Sequence, residues 1–282
     1  MPDARARLAS VEIGGGAPVA VMGVLNVSPE SFHSGSVYRD DDALLRAAVD
    51  MVDAGAALVD VGARSTAPYL PTEVSEAEEI DRLTGAVRLL ADKLPVPVSA
   101  DTTRPAVARA ALEAGARIVN DVSGLSDLAL AREVAARGAS LIAMAAPGAG
   151  ALLGAPLATV RARLERALAT ARTADIAVDR IVLDPGIGFF RDAAVPWHTW
   201  DVSVLAGLRT LLTLGRPLCV GVSRKSFVGA LTGRADTADR LAGSLAATAA
   251  AVLGGADLIR AHDVRETVDA VRVAERIREA SP

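Results

Sequence analysis

The sequence predicts an α/β fold: one domain over residues 1–282, built as a single (β/α)8 barrel with an N-terminal β-hairpin. Three observations predict it. First, a unit repeats along the chain in which a helix ends at glycine and a short apolar strand begins within a few residues. It appears as Asp53-Ala54-Gly55-Ala56 before 58–61, Glu113-Ala114-Gly115-Ala116 before 118–120, Arg137-Gly138-Ala139 before 141–144, and Gly254-Gly255-Ala256 before 258–261. Second, strands and helices alternate, eight of each, over a length near the usual size of about 250 residues for such a barrel. Third, the strands are apolar yet nearly every one ends on a polar side chain, and barrels of this kind gather their chemistry at those ends. An open doubly wound sheet is the competing architecture, but no G-x-G-x-x-G turn follows the first strand.

In chain order, 8–13, the Gly14-Gly15-Gly16 turn and 19–26 read as a hairpin leading into the first buried strand. Further strands fall at 58–61, 96–100, 118–120, 141–144, 180–184, 218–222 and 258–261, with the apolar runs of strands covered on both faces. Helical stretches lie between them at 41–53, 75–93, 105–114, 128–136, 159–174, 202–214, 237–253 and 264–279. The stretch 241–256 is the most membrane-like. It is mostly Ala and Gly, carries Ser244 and Thr248, and is short for a bilayer, so it reads as a buried helix.

The composition is 51% hydrophobic and 23% charged with 3% aromatic residues, which describes a soluble globular chain whose core is Ala, Val, Leu and Ile. A net charge of −4 with no basic block disfavours nucleic acid as a partner but leaves room for a local cationic pocket. Cys219, the one cysteine, can form no internal disulfide and reads as a small core residue. Residues 1–10 carry charges without an apolar run, unlike a secretory signal, so a cytoplasmic enzyme is expected, with no membrane partner.

The strand ends carry Asn26, Asp60, Asp101, Asn120-Asp121, Met144, Asp184, Ser223-Arg224-Lys225 and Arg260-Ala261-His262. Asp184 stands out, because Pro185-Gly186-Ile187-Gly188 follows it and such a turn leaves peptide N–H groups open to a ligand. The plainer reading of Asp184 is a cap for the next helix. Acids and amides together suit the N–H-rich edge of a heterocycle. Arg260, His262, Ser65 and Thr66 suit a phosphate-bearing anion, and Lys225 can donate to a heteroatom as a point charge. Asn26 with phosphate oxygens can hold Mg²⁺, which takes oxygen ligands and keeps several waters. The residues alone stop at a barrel enzyme with a phosphorylated ligand.

The motifs go further. Met22-Gly23-Val24-Leu25-Asn26-Val27-Ser28-Pro29-Glu30-Ser31-Phe32 resembles the opening signature of the dihydropteroate synthase family, and Asp60-Val61-Gly62 with Ser65-Thr66, Asp101-Thr102 and Asn120-Asp121 follow it in order. Asp184-Pro185-Gly186-Ile187-Gly188-Phe189, Ser223-Arg224-Lys225-Ser226-Phe227 and Arg260-Ala261-His262-Asp263-Val264 complete the likeness over almost the whole chain. The resemblance implies a transferase of folate biosynthesis that condenses a pterin-methyl pyrophosphate with p-aminobenzoate. It implies that Asp101, Asn120, Asp184 and Lys225 hold the pterin, with Asp101, Asp184 and Lys225 catalytic. Asn26, Ser65, Thr66, Arg260 and His262 would hold the pyrophosphate, with Mg²⁺ on Asn26, and Phe189 and Ser223 would lie beside the aminobenzoate. It also implies a homodimer formed through outer helices near the C-terminal end of the chain, where 241–253 is apolar enough to take part. A non-catalytic or specialised pterin-binding relative, and a methyl-tetrahydrofolate-binding methyltransferase, are the alternatives.

Four departures from the family pattern matter. Arg64-Ser65-Thr66-Ala67-Pro68-Tyr69 stands where the family reads Glu-Ser-Thr-Arg-Pro-Gly, so an arginine appears three residues before its usual place. Arg64 either reaches the pyrophosphate or lies on the surface. Met144-Ala145-Ala146 replaces Met-His-Met, Phe190-Arg191 replaces Gly-Lys ahead of Pro196-Trp197-His198-Thr199-Trp200, and His33 has no assigned role. Phe189-Phe190 and the altered second loop resemble sulfonamide-resistant synthases. If Phe190 points into the cleft, it admits a flat carboxylate and rejects a sulfonyl group; the other orientation packs it on Trp197 or Trp200.

Overall fold

The computed structural model describes residues 4–28, 40–65, 73–148, 154–191 and 195–280. An antiparallel pair, β1 (Arg5–Leu8) and β2 (Val11–Gly14), precedes eight parallel strands. These are β3 (Ala20–Asn26), β4 (Leu58–Gly62), β5 (Val98–Asp101), β6 (Ile118–Asp121), β7 (Ser140–Met144), β8 (Ile181–Asp184), β9 (Cys219–Gly221) and β10 (Leu258–Ala261). Their order, β8-β7-β6-β5-β4-β3-β10-β9, curls round until β8 meets β9 through one bridge, Leu183 to Leu218. The expected barrel is therefore present and nearly closed.

Helices α1 (Asp41–Asp53), α2 (Glu76–Lys93), α3 (Pro105–Ala114), α4 (Leu128–Ala136), α5 (Pro156–Thr173), α6 (Trp197–Ala206), α7 (Ser226–Thr232), α8 (Leu241–Leu253) and α9 (Val264–Ala280) surround it. Their starts are fixed locally. Asp40, Ser75 and Asp127 accept from backbone N–H groups of the first turns of α1, α2 and α4, and Pro begins α3 and α5, where its missing N–H costs nothing. The repeat glycines Gly55, Gly115, Gly138 and Gly255 all have positive φ, the conformation that lets a chain leave a helix and enter a strand.

Several boundaries differ from the sequence expectation. The hairpin turns at Ala9-Ser10 (φ of Ala9 is +55°) and not at the triple glycine, which instead links β2 to β3. The expected helix at 202–214 begins at Trp197, because Pro196 can start it, and breaks at Gly207 into a 3-10 turn. Residues 237–240 are likewise a 3-10 turn before α8. The short α7 was not expected. The 241–256 stretch is buried on one face only: Ser244, Ala247, Thr248, Ala251 and Val252 face inward while Ala242, Ala246 and Ala250 are exposed. No described helix is long and apolar enough to cross a membrane.

Two apolar layers build the core. One lies between strands and helices. The other plugs the barrel floor, where Ala6, Leu8 and Ile13 of the hairpin pack on Met22, Leu58, Ile118, Ile142, Val182, Cys219 and Leu258. Ser140 Oγ ties the hairpin down by accepting from Ala9 N and donating to Arg7 O, each at 3.0 Å. Side chains alternate along a strand, so the residue two beyond each floor residue also faces the axis, one layer higher. That layer contains Asp60, Asn120, Asp184 and Arg260 above Leu58, Ile118, Val182 and Leu258.

Candidate active site

Asp60, Asn120 and Arg260 of this layer form one network with Asp101. Arg260 donates through Nε to Asp60 Oδ2 (2.8 Å) and through Nη2 to Asp101 Oδ2 (3.0 Å), and Asn120 Nδ2 donates to the same Asp60 oxygen (2.9 Å). The second oxygens, Asp60 Oδ1 and Asp101 Oδ1, are buried and have no hydrogen-bond partner. An unpaired buried carboxylate oxygen is costly, and here two of them lie side by side in the polar network. Burial and the neighbouring Asp60 push Asp101 up to about 7 against the pull of Arg260 and Arg64. Burial also works against the Arg260 charge, yet Asp60 and Asp101 hold that guanidinium above its ordinary value. Asn26, at the end of β3, lies close by: a side chain at Gly62 would meet Asn26 Oδ1 at 3.4 Å and Asp101 Oδ2 at 3.8 Å.

Across the mouth stand Asp184 and Lys225. Asp184 Oδ1 accepts from Gly186 N at 2.7 Å, so it does brace the turn after β8. Desolvation raises its pKa, opposed chiefly by the Lys225 ammonium and the Gly186 N–H. Desolvation lowers that of Lys225, opposed by Asp184 and then Asp201. The Lys225 ammonium donates to Ile187 O and sits 5.0 Å from the centre of the Phe189 ring. Gly186 (φ +72°) must be glycine, because a Cβ there would collide with Ala145 O. Just beyond β9 and β10, Ser223 Oγ lies 3.0 Å from His262 Nδ1 and accepts from His262 N at 3.2 Å. Arg224 between them is buried with φ +55° and forms a two-pronged bridge to Asp263 (2.8 and 2.6 Å), which locks that pair of loops together.

The structure thus brings together Asp101, Asn120 and Arg260 as one group, Asp184, Lys225 and Phe189 as a second, and Ser223 with His262 as a third. Ser65 is half-buried just beyond β4. Thr66 lies outside the described residues, as do Ala67 and His33. Arg64 is not a free surface residue. Its Nε donates to Glu79 Oε2 (3.2 Å) and its Nη2 to Thr103 Oγ1 (3.0 Å). Glu79, fully buried on α2, also binds Arg104 (2.9 Å) and Thr102 Oγ1 (2.7 Å).

Phe190 takes the second of its two orientations. It is 1% exposed and stacks on Trp200, with ring centres 5.0 Å apart and planes at 20°, so it is core and does not project into the cleft. The sequence marks Asp60 as a polar strand end but assigns it no role, although its place two residues beyond Leu58 puts it in the axial layer. Sequence reasoning left out Glu79, which reads as an ordinary first-turn acid of α2, and Asp201, hidden in a helix.

Comparison with known proteins gives a consistent picture. The family model described as pterin binding enzyme matches residues 22–262. The dihydropteroate synthase of Escherichia coli K12 is 37% identical over 261 residues, covering 90% of each chain, and that of Mycobacterium leprae is 40% identical over 279 residues, covering 94% of this chain and 96% of its own. Among solved structures, the Xanthomonas albilineans dihydropteroate synthase with 4-aminobenzoic acid superposes with a TM-score of 0.87 at 35% identity, covering 99% of this chain and all of the other.

Proposed function

The chain belongs to the pterin-binding enzyme family, among the dihydropteroate synthases, and on that premise we propose that it condenses 6-hydroxymethyl-7,8-dihydropterin pyrophosphate with p-aminobenzoate. The bond between the pterin methylene and its pyrophosphate oxygen breaks, the arylamine nitrogen bonds to that methylene, and one amine proton is released. The products are 7,8-dihydropteroate and pyrophosphate. The observation that carries the reading is the set of acceptors on one rim: the unpaired oxygens of Asp60 and Asp101, with Asn120 and Asp184.

Asp101, Asn120 and Asp184 accept from the N–H edge of the pterin, and Lys225 donates to its heteroatoms. As the leaving group departs, positive charge grows on the methylene. Asp101 and Asp184 stabilise it in a desolvated pocket, where fixed charges act strongly. Arg260 links this group to the anion side, where Asn26, Ser65, Thr66 and His262 hold the pyrophosphate. Phe189 and Ser223 flank the arylamine, which needs no protein nucleophile.

Mg²⁺ belongs to the proposal. Among the described residues no three His, Cys, Asp or Glu side chains form a metal cage. Asn26 Oδ1, beside Asp101 at the end of β3, would hold the ion together with pyrophosphate oxygens and water. Bound there, the ion would offset charge on the leaving group. A homodimer through the exposed Ala242, Ala246 and Ala250 face of α8, a single catalytic domain and a cytoplasmic location complete the reading. Weak inhibition by sulfonamides, expected from a Phe190 ring pointing into the cleft, loses that ground because Phe190 stacks on Trp200. The test is release of pyrophosphate and formation of dihydropteroate from the two substrates. A purified, folded protein that yields neither product would overturn the proposal.

A further inference from the structure

We propose that Asp201, on α6, is a positioning residue for the aminobenzoate side of the cleft: it fixes the Gly188 peptide and thereby sets where the Phe189 ring stands above Lys225. The inference rests on the reading of Phe189 as a wall of the p-aminobenzoate subsite. Asp201 is 1% exposed, and its Oδ1 accepts from Gly188 N at 2.8 Å. Its Oδ2 is buried with no hydrogen-bond partner. A buried carboxylate spent on a single peptide N–H is an expensive way to cap a loop, so the loop's position, more than the stability of α6, accounts for its presence.

The loop it holds is short and clamped from all sides. Asp184 takes Gly186 N, Lys225 donates to Ile187 O, and Arg191 Nε donates to Gly188 O at 3.2 Å. Phe190 stacks on Trp200, the residue before Asp201, and the Arg191 guanidinium lies 4.2 Å from the centre of the Trp197 ring. Gly188 has φ +88°, and a Cβ there would stand 2.9 Å from Lys225 Cδ, so its backbone rests directly on the lysine stem. Shifting the Gly188 peptide therefore moves Phe189, its chain neighbour, and disturbs the packing of Lys225. Desolvation raises the Asp201 pKa, opposed by the Gly188 N–H, then by Lys225, Arg191 and His198, so the carboxylate also lends charge to the lysine side of the cleft.

The chain has two tryptophans, Trp197 and Trp200, and both sit on α6 under this loop, which supplies a direct optical probe. Native protein, Asp201→Asn and Asp201→Ala are compared in three measurements. These are the KM for p-aminobenzoate, the Kd for the pterin pyrophosphate, and the change in tryptophan emission when p-aminobenzoate is added to the pyrophosphate-saturated protein. The alanine variant should raise the KM for p-aminobenzoate roughly tenfold, as loss of one charge-assisted hydrogen bond implies. Its pterin Kd should stay within about threefold, and it should lose most of the emission change. Asparagine keeps an oxygen for Gly188 N and should restore KM to within about threefold of native. Should the alanine variant not fold, Asp201→Ser, whose hydroxyl is too short to reach Gly188, is read by the same criteria. Equal losses for both substrates, or an unchanged KM, would overturn the assignment while leaving the catalytic proposal intact. Failure of the native protein itself to turn over strikes the catalytic proposal, and this one with it.

Discussion

Asp60 offers the sharpest test of the polar layer. One oxygen accepts from both Arg260 (2.8 Å) and Asn120 (2.9 Å), and the residue has no exposed surface. Replacing it by alanine breaks a buried ion pair and strands the Arg260 charge on Asp101 alone. Losses of this kind run to roughly 3–5 kcal/mol, of which Asp101 recovers part. Asp60→Asn keeps an acceptor and should cost less, about 1–3 kcal/mol. The same substitution has a second effect of fixed sign. The Asp60 charge helps to raise Asp101 to about 7, so removing it should bring Asp101 down. On the proposed reading the ionised Asp101 accepts from the pterin N–H edge, so kcat/KM for the pterin should rise as pH climbs through about 7 in the native enzyme. In Asp60→Asn that rise should occur at lower pH. Urea denaturation gives the stability change, and a kcat/KM profile from pH 5 to 9 gives the limb. A limb that stays put or moves to higher pH would refute the electrostatic link between the two acids.

Other outcomes follow from the same geometry. Asp184→Asn keeps an oxygen for Gly186 N but loses its charge, so pterin affinity should fall by roughly 2–4 kcal/mol in calorimetry with little change in melting temperature; an unfolded variant would make Asp184 a structural cap. Phe190→Gly empties the stack on Trp200 and should cost roughly 3–5 kcal/mol of stability, read by chemical denaturation, and a stable variant would show that the ring is not core. Chelation of divalent ions should abolish turnover while circular dichroism is unchanged, and full activity in excess chelator would remove the metal from the mechanism. Ala246→Glu, on the exposed face of α8, should convert a sedimenting dimer to a monomer; a native protein that is already monomeric at micromolar concentration contradicts the dimer.

The barrel was legible because its signals are local. A glycine that takes positive φ after α1, α3, α4 and α8, and an apolar run after it, need no knowledge of the rest of the chain. The rim followed from position, as Asp101, Asn120, Asp184 and Arg260 stand at strand ends. What stayed hidden depends on distant partners. Phe190 could face either way until Trp200, one helix later, was seen to stack on it. Glu79 carries the same letters as its exposed neighbours Glu76 and Glu78, and only the approach of Arg64 and Arg104 marks it as buried. The hairpin was mislocated because three glycines outweigh Ala9-Ser10 as a turn signal, although the chain spends those glycines on a link.

The barrel's one weak join has a consequence for how a ligand is held. Seven of the eight neighbouring strand pairs are laced by regular ladders, whereas β8 and β9 share a single bridge at Leu183 and Leu218. Asp184 ends one of these strands, and Ser223 and Lys225 follow the other. The acid and the ammonium therefore stand on opposite banks of a seam that few backbone bonds hold shut. A pterin gripping both would act as a stitch across it, lending the ring of strands a closure that its own peptide groups leave unfinished.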